Sequence, residues 1–143
     1  MYIGIPLDNP KHHITVAYCG HGETAEDYFR AVTALARVAD SRYQRKERPL
    51  RLHLQGLGCF TTERGQIWHT KIKCKKLFEF RDELITALKE LEVPVKDNYE
   101  EYVPHITLSY YSRKPKNPYE GLTRLADRVS VVSDHFGVTP IRI

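Results

Sequence analysis

Two short phrases in the sequence each place a histidine and a threonine two residues apart. The segments KHHITVAY and PHITLSY, one in each half of the 143-residue chain, contain His13 with Thr15 and His105 with Thr107. In a strand, residues i and i+2 face the same side, so each phrase presents an imidazole and a hydroxyl on one face. The aliphatic residues beside them would pack on the opposite face. The pattern predicts two strands that can meet around one substrate.

An imidazole pair combined with two hydroxyls suits the cleavage of a phosphodiester. That reaction needs a base to deprotonate the attacking oxygen and an acid to protonate the leaving oxygen. Histidine, with an unperturbed pKa of about 6.5, can serve as either near neutral pH. Threonine hydroxyls can donate hydrogen bonds to the non-bridging phosphate oxygens, where charge builds during reaction. Such a site needs no metal and no other cofactor, so none is expected.

The other histidines make no such motif. The sequence has seven, and the remaining five are His12, His21, His53, His69 and His135. His12 would face the opposite side of the strand from its neighbour, which favours a structural or surface role, although a register slip of one residue would exchange the two. Replacing His12 or His69 is therefore expected to cost far less activity than replacing either motif histidine.

Local patterns place both phrases on strands of an α+β fold. Apolar residues alternate with polar ones from Leu50 onward, which is typical of a half-buried strand, whereas Thr24 and Asp27 resemble the capping box of a helix. From the N-terminus, the predictions are strands over 1–5 and 13–18, a helix over 25–39, a strand from 50, a turn over 61–65, a return strand over 68–74, a helix over 77–91, a strand over 103–110, a short helix over 122–126, and strands over 129–133 and 138–143.

The order of these elements divides the chain into two similar halves. Each half holds one helix and one copy of the histidine phrase. A length of 143 residues fits a single domain with a real core. We therefore expect one domain over residues 1–143, built as two related α+β lobes with a cleft between them.

Composition restricts the expected location of the protein but does not identify its function. The formal net charge of +4 fits either a solubility role or attraction to an anionic ligand. Cys19, Cys59 and Cys74 form no CxxC pair, and the N-terminal segment is interrupted too early to act as a signal sequence. No apolar run approaches membrane-spanning length. A cytoplasmic protein without membrane contact is expected, as a monomer, with oligomerisation left open.

The two phrases and the segments around them resemble the 2H phosphoesterase superfamily, which includes LigT-like RNA cyclic phosphodiesterases of the 2′-5′ RNA ligase family and phage anti-CBASS nucleases. IPLDNPKHHITVAY resembles the opening strand and first motif, LGCFTTERGQIWHTKI the central hairpin, and ELITALKELEVPVKDNYEEYVPHITLSY the second helix and second motif. The resemblance covers roughly residues 2–111. It implies a bilobal α+β fold, with two pseudo-symmetric lobes of antiparallel sheet plus helix around a central cleft. It also implies metal-independent phosphodiester hydrolysis or transesterification.

The resemblance also implies roles for the motif residues. His13 and His105 correspond to the catalytic pair, with Thr15 and Thr107 binding phosphate. By family analogy, His105 is the base and His13 the acid.

Four further residues are candidate substrate contacts. Tyr18 and Tyr110 follow the two motifs closely and could stack a nucleobase, with packing at the rim of the sheet as an equal alternative. Trp68 could do the same, although a core position is favoured for it. Arg64, on the predicted hairpin turn, could reach a phosphate.

The sequence thus predicts a metal-independent phosphodiesterase acting on a small nucleotide. The substrate would be a 2′,3′-cyclic phosphate, a 2′-5′ or 3′-5′ linkage, or a cyclic oligonucleotide immune signal of the kind that viral anti-defence members destroy. One alternative is end processing of longer RNA, for which the basic segments 42–51 and 112–118 would contact phosphates. Another is a module that only sequesters a nucleotide. A metal site or a nucleophilic Cys19 lacks the surrounding residues that either would need.

Overall fold

The computed structural model describes residues 1–96 and 101–143, which form eight strands and two helices. In chain order the elements are β1 (Tyr2–Pro6), β2 (His13–Tyr18), α1 (Ala25–Gln44), β3 (Leu50–Thr62), β4 (Gly65–Lys73), α2 (Lys75–Glu90), β5 (His105–Tyr110), β6 (Thr123–Ala126), β7 (Arg128–Ser133) and β8 (Gly137–Arg142). The strands make one antiparallel sheet in the order β6-β3-β4-β5-β2-β1-β7-β8. In the described part of the chain, no helix has the length and apolarity to cross a membrane.

The sheet divides at its centre into the two expected lobes. β2 and β5 meet there, and among the described residues they pair at a single position, Ile14 with Ile106. Four strands lie on each side of this junction. The helices cover one face: α1 packs on β7 and β8, α2 packs on β2, and the helices contact each other. The α+β, two-lobed architecture predicted from the sequence is confirmed.

The first helix, α1, begins directly after its N-cap residue, Thr24, as the capping box predicted. The Thr24 side chain accepts a hydrogen bond from the backbone N–H of Asp27 at 3.1 Å, and the Asp27 carboxylate accepts one from the N–H of Thr24 at 3.0 Å. The helix continues to Gln44, past the predicted end at 39. Its last turn carries Arg42, buried to 4 % exposure, which donates to the Glu47 carboxylate and the Arg48 carbonyl. These contacts with the segment that follows the helix stabilise the extra turn.

The core lies between the helices and the face of the sheet that they cover. Leu50, Leu52 and Leu54 are buried, whereas Arg51 and His53 between them are exposed, as the alternating pattern predicted. The opposite face of the sheet is therefore left for polar side chains.

Two local predictions are wrong. Residues 123–126 form strand β6 rather than a short helix, and they pair with the start of β3 from Leu50↔Ala126 to His53↔Thr123. A helix this short has no independent stability, whereas pairing satisfies the backbone groups along the edge of β3. The hairpin turn is also tighter than expected, because β3 runs to Thr62 and β4 starts at Gly65.

Replacing Thr24 with Ala should lower the free energy of unfolding by about 1 kcal/mol, because the N–H of Asp27 loses its acceptor. Urea unfolding followed by circular dichroism measures the change. Thr33→Ala, at an exposed position in the middle of the same helix, is the matched control and should not destabilise the protein. Equal losses in both variants would contradict the capping role.

Candidate active site

β2 and β5 bring the two histidine motifs to one cleft. His13, Thr15, His105 and Thr107 all line a cavity of about 620 Å³ on the face of the sheet away from the helices. The antiparallel register set by Ile14 and Ile106 places each histidine opposite the threonine of the other motif. The two histidines are then diagonal neighbours, which in a regular antiparallel pair lie about 7–8 Å apart. That separation leaves room for a phosphate group between two imidazoles.

The His13 imidazole sits between Tyr2 and the cleft. Its ring stacks on that of Tyr2 with centroids 4.4 Å apart, and its Nε2 lies 3.1 Å from the Thr15 hydroxyl oxygen. Burial lowers the pKa of His13 below its usual value, and the nearby charges of His105 and His12 lower it further. This imidazole is therefore held towards its neutral form at neutral pH.

The His105 imidazole is oriented by a backbone carbonyl. Its Nδ1 lies 2.7 Å from the carbonyl oxygen of Val103. A carbonyl oxygen can only accept, so Nδ1 carries a proton and donates it, which leaves Nε2 as the ring's other nitrogen for a ligand.

A third histidine lies against His105 and was not expected there. His69 on β4 is 3 % exposed; its ring stacks on Phe60 at 4.2 Å and meets His105 edge-on at 5.2 Å. Its pKa is lowered, first by burial and then by the charge of His105. The position opposite His69 on β3 is Gly58, where a Cβ would approach Nε2 closer than 3.0 Å. His69 is thus a direct neighbour of a motif histidine, and the glycine in mid-strand was the signal for this close approach.

The backbone of β2 is held from the side of α2. Arg81 donates from Nη1 to the carbonyl of Val16 at 2.5 Å, and its guanidinium lies over the Tyr102 ring at 4.5 Å. The Tyr102 hydroxyl in turn donates to the carbonyl of Thr15 at 2.7 Å. Sequence reasoning missed Arg81, which belongs to no motif, and placed Tyr102 only within the Tyr-x-Pro-His entry to the second motif, without assigning it this contact.

Of the four other candidate contacts, two lie at the cleft. Tyr18 and Tyr110 line it, but Arg64 and Trp68 are not among its described lining residues. Arg64 lies in the turn between β3 and β4, and Trp68 is in β4 with its indole N–H buried. The cleft mouth is also lined by Lys11, Lys96 and Glu101.

The remaining polar candidates have other surroundings. His12 precedes β2, and its Nδ1 shares a hydrogen bond of 2.5 Å with the Tyr119 hydroxyl, in keeping with a structural role. The Cys19 thiol is buried, in keeping with a packing role. Within residues 1–96 and 101–143, no group of three or more His, Cys, Asp or Glu is placed to hold a metal ion.

Replacing His105 with Gln should raise the pKa of His13, because a like charge is removed. The pKa should still remain below the ordinary value, since burial and His12 continue to lower it. An NMR titration of the imidazole carbon-bound protons measures the shift. His135→Gln, at an exposed position on the β7–β8 turn, is the control and should leave His13 unchanged. An unchanged His13 pKa in the His105 variant would show that the two imidazoles do not interact electrostatically.

Gly58→Ala should destabilise the fold by about 1–3 kcal/mol, because the added methyl group meets the His69 ring in a packed site. Combining it with His69→Ala removes the clash, so the double variant should be more stable than the sum of the two single changes predicts. Thermal and urea unfolding of all three variants tests this. Gly56→Ala is the control, since its nearest neighbour is the flexible carboxylate end of Glu120. If the two single changes in the free energy of unfolding simply added in the double variant, the contact between Gly58 and His69 would be contradicted.

Comparison with known proteins agrees with this geometry. The crystal structure of TT0787 from Thermus thermophilus superposes with a TM-score of 0.65 at 21% identity, covering 98% of this chain and 79% of that one. A crystal structure described as a phosphoesterase gives a TM-score of 0.55 at 20% identity, covering 97% and 79%. These two likenesses show the shared fold. No curated protein sequence matches significantly.

The sequence profile of the 2′-5′ RNA ligase superfamily matches residues 6–137, which is most of the chain and includes both histidine motifs. The chain therefore belongs to the 2′-5′ RNA ligase superfamily, the 2H phosphoesterase family that its two phrases resemble.

Proposed function

We propose that the protein hydrolyses a phosphodiester in a small nucleotide, with His13 and His105 transferring protons and with Thr15 and Thr107 holding the phosphate. The observation that carries this proposal is the convergence of all four side chains on one cleft through the Ile14–Ile106 pairing. Membership of the superfamily supports a phosphoesterase activity.

The surroundings of His13 favour roles opposite to those implied by family analogy. His13, with its lowered pKa, is the better candidate to take a proton from the attacking water in the neutral state. His105, oriented by the hydrogen bond from its Nδ1 to the Val103 carbonyl, gives a proton from Nε2 to the leaving ribose oxygen. The P–O bond to water forms as the bond to the ribose oxygen breaks, which yields a phosphomonoester and a free hydroxyl.

The cleft fits a nucleotide in size and lining. Its volume of about 620 Å³ lies within the range usual for small-molecule sites. Tyr18 and Tyr110 offer aromatic faces for a base, and Lys11 and Lys96 add positive charge at the mouth. The name of the superfamily supports a ribose substrate with a phosphate on the 2′ oxygen, such as a 2′,3′-cyclic phosphate or a 2′-5′ linkage. Cyclic oligonucleotide signals remain within the proposed class. Sequestration without cleavage is disfavoured, because binding alone would not require either histidine to be intact.

Turnover with EDTA present should be measured on 2′,3′-cyclic nucleotides, 2′-5′ and 3′-5′ oligoadenylates, and cyclic dinucleotides and trinucleotides. His13→Ala and His105→Ala should each reduce kcat/KM about 100- to 10,000-fold on the preferred substrate, because each removes one proton-transfer group. His135→Ala, at an exposed residue that is not among those lining the cleft, should be unaffected.

The pH dependence supplies a second readout. A base and an acid acting together give a bell-shaped profile of kcat/KM. Tight binding of one compound without its cleavage would contradict the hydrolytic proposal and favour a sequestering module. Equal activity loss in the His135 variant would contradict the assigned pair.

A further inference from the structure

Strand β2 carries a bulge directly after the threonine of the first motif. Its register against β1 passes from Gly4↔Thr15 to Ile3↔Ala17, so Val16 is an extra residue without a partner on β1. A bulge of this kind moves the residues that follow it to the other face of the strand and disrupts the ladder of backbone hydrogen bonds. The backbone at Thr15 therefore lies at an interruption of the sheet.

The bulge changes which side chains reach the cleft. In a regular strand, Tyr18 would face the same side as Ile14 and Val16, both of which are buried in the core. Because of the extra residue, Tyr18 lines the cleft together with Thr15. The conformation of this short stretch of backbone thus determines the shape of one wall of the site.

The edge of β2 that faces β5 obtains its hydrogen bonds from side chains at this point. Among the described residues, β2 pairs with β5 at Ile14 and at no later position. Beyond it, the Tyr102 hydroxyl donates to the Thr15 carbonyl at 2.7 Å, and Nη1 of Arg81 donates to the Val16 carbonyl at 2.5 Å. Backbone carbonyls outside a ladder need such donors, so these two side chains stabilise the bulge.

The Tyr102 ring is itself held by its neighbours. The Arg81 guanidinium lies over the ring at 4.5 Å from its centroid, and the Phe78 ring meets it edge-on at 5.6 Å. Tyr102 precedes His105 by three residues, in the segment that enters β5. Its bond to the Thr15 carbonyl therefore connects the entry of the second motif to the backbone of the first.

We propose that Tyr102 is a positioning residue, whose hydroxyl fixes the backbone of Thr15 and thereby directs the Thr15 hydroxyl at the phosphate. This inference rests on the proposed function, in which Thr15 holds the phosphate. A threonine side chain is stiff at χ1, so the direction of its hydroxyl follows the backbone that carries it. Arg81 contributes by holding the Tyr102 ring and the next carbonyl of the bulge.

The test uses Tyr102→Phe, which removes the hydroxyl and keeps the ring contacts with Arg81 and Phe78. The matched control is Tyr28→Phe, since the Tyr28 hydroxyl shares a hydrogen bond with the Thr139 hydroxyl and Tyr28 is not among the residues that line the cleft. Both variants lose one tyrosine hydroxyl bond, and thermal unfolding compares their stabilities. The activity readouts are kcat and KM on the preferred substrate. The binding readout is the Kd of inorganic phosphate, followed by NMR.

Tyr102→Phe should lower kcat/KM about tenfold, because a displacement of about 1 Å in a catalytic site can cost about 100-fold and the loss of one bond is a smaller disturbance. Inorganic phosphate should bind about three- to tenfold more weakly. Tyr28→Phe should keep the wild-type kcat/KM and phosphate affinity even where its thermal stability falls. Equal losses of activity in the two variants would show that Tyr102 has only a structural role.

Thr15→Val separates positioning from direct contact, since Tyr102 also lines the cleft. This change removes the Thr15 hydroxyl but keeps the backbone carbonyl that Tyr102 binds. In the Thr15→Val background, Tyr102→Phe should cause no further loss of kcat/KM or phosphate affinity, because the group through which it acts is absent. Independent, additive losses would overturn the proposal and indicate that the Tyr102 hydroxyl contacts the substrate itself.

The two proposals fail in different ways. Unchanged kcat/KM and phosphate affinity in Tyr102→Phe would overturn the positioning role, whereas the proposed hydrolysis would stand. Phosphate binding that depends on Tyr102, in a wild-type protein that cleaves none of the compounds, would refute the hydrolysis and leave the positioning role intact. A wild-type protein that neither cleaves a substrate nor binds phosphate would overturn both.

Discussion

The pairing of Ile14 with Ile106 is the constraint on which the site depends. Both side chains are 0 % exposed and lie in the core beneath the sheet. Because side chains alternate in a strand, burial of these two residues forces the flanking histidines and threonines onto the opposite face. The pairing also fixes the register, so each histidine faces the threonine of the other lobe. One contact between two aliphatic residues thus decides the placement of four polar ones.

The residues that support the four motif side chains differ between the two lobes. In one lobe, Tyr2 stacks on His13, and Tyr102 ties down the strand that carries it. In the other, the Val103 carbonyl holds one edge of His105, while His69 packs against its ring. The first environment favours a neutral imidazole on His13, and the second fixes the orientation of the His105 ring. The repeated motif alone contains no such distinction, since both copies present the same side chains.

Sequence reasoning succeeded where short-range patterns carry the information. Alternation along β3 and the capping box at Thr24 are local, and they were predicted correctly apart from element ends. It failed where distant residues decide the outcome. β6 exists because β3 offers it an edge, and His69 meets His105 because Gly58 leaves space across a hairpin. Arg81, which holds β2 from a helix 65 residues away, has no local signature. Placement of Arg64 and Trp68 outside the described cleft lining depends on the turn and register, which local patterns do not specify.

The near-twofold arrangement of the motifs has a consequence for regiochemistry. A phosphodiester between two identical His–Thr pairs could enter in two directions related by a half-turn, and each direction would expel a different ester oxygen. Since the supports behind the two rings differ, the two directions differ in energy, and one is preferred. Under the proposed reaction, the choice between a 2′- and a 3′-phosphate product would be set by groups that never touch the phosphorus, namely the phenol ring of Tyr2 and the carbonyl of Val103.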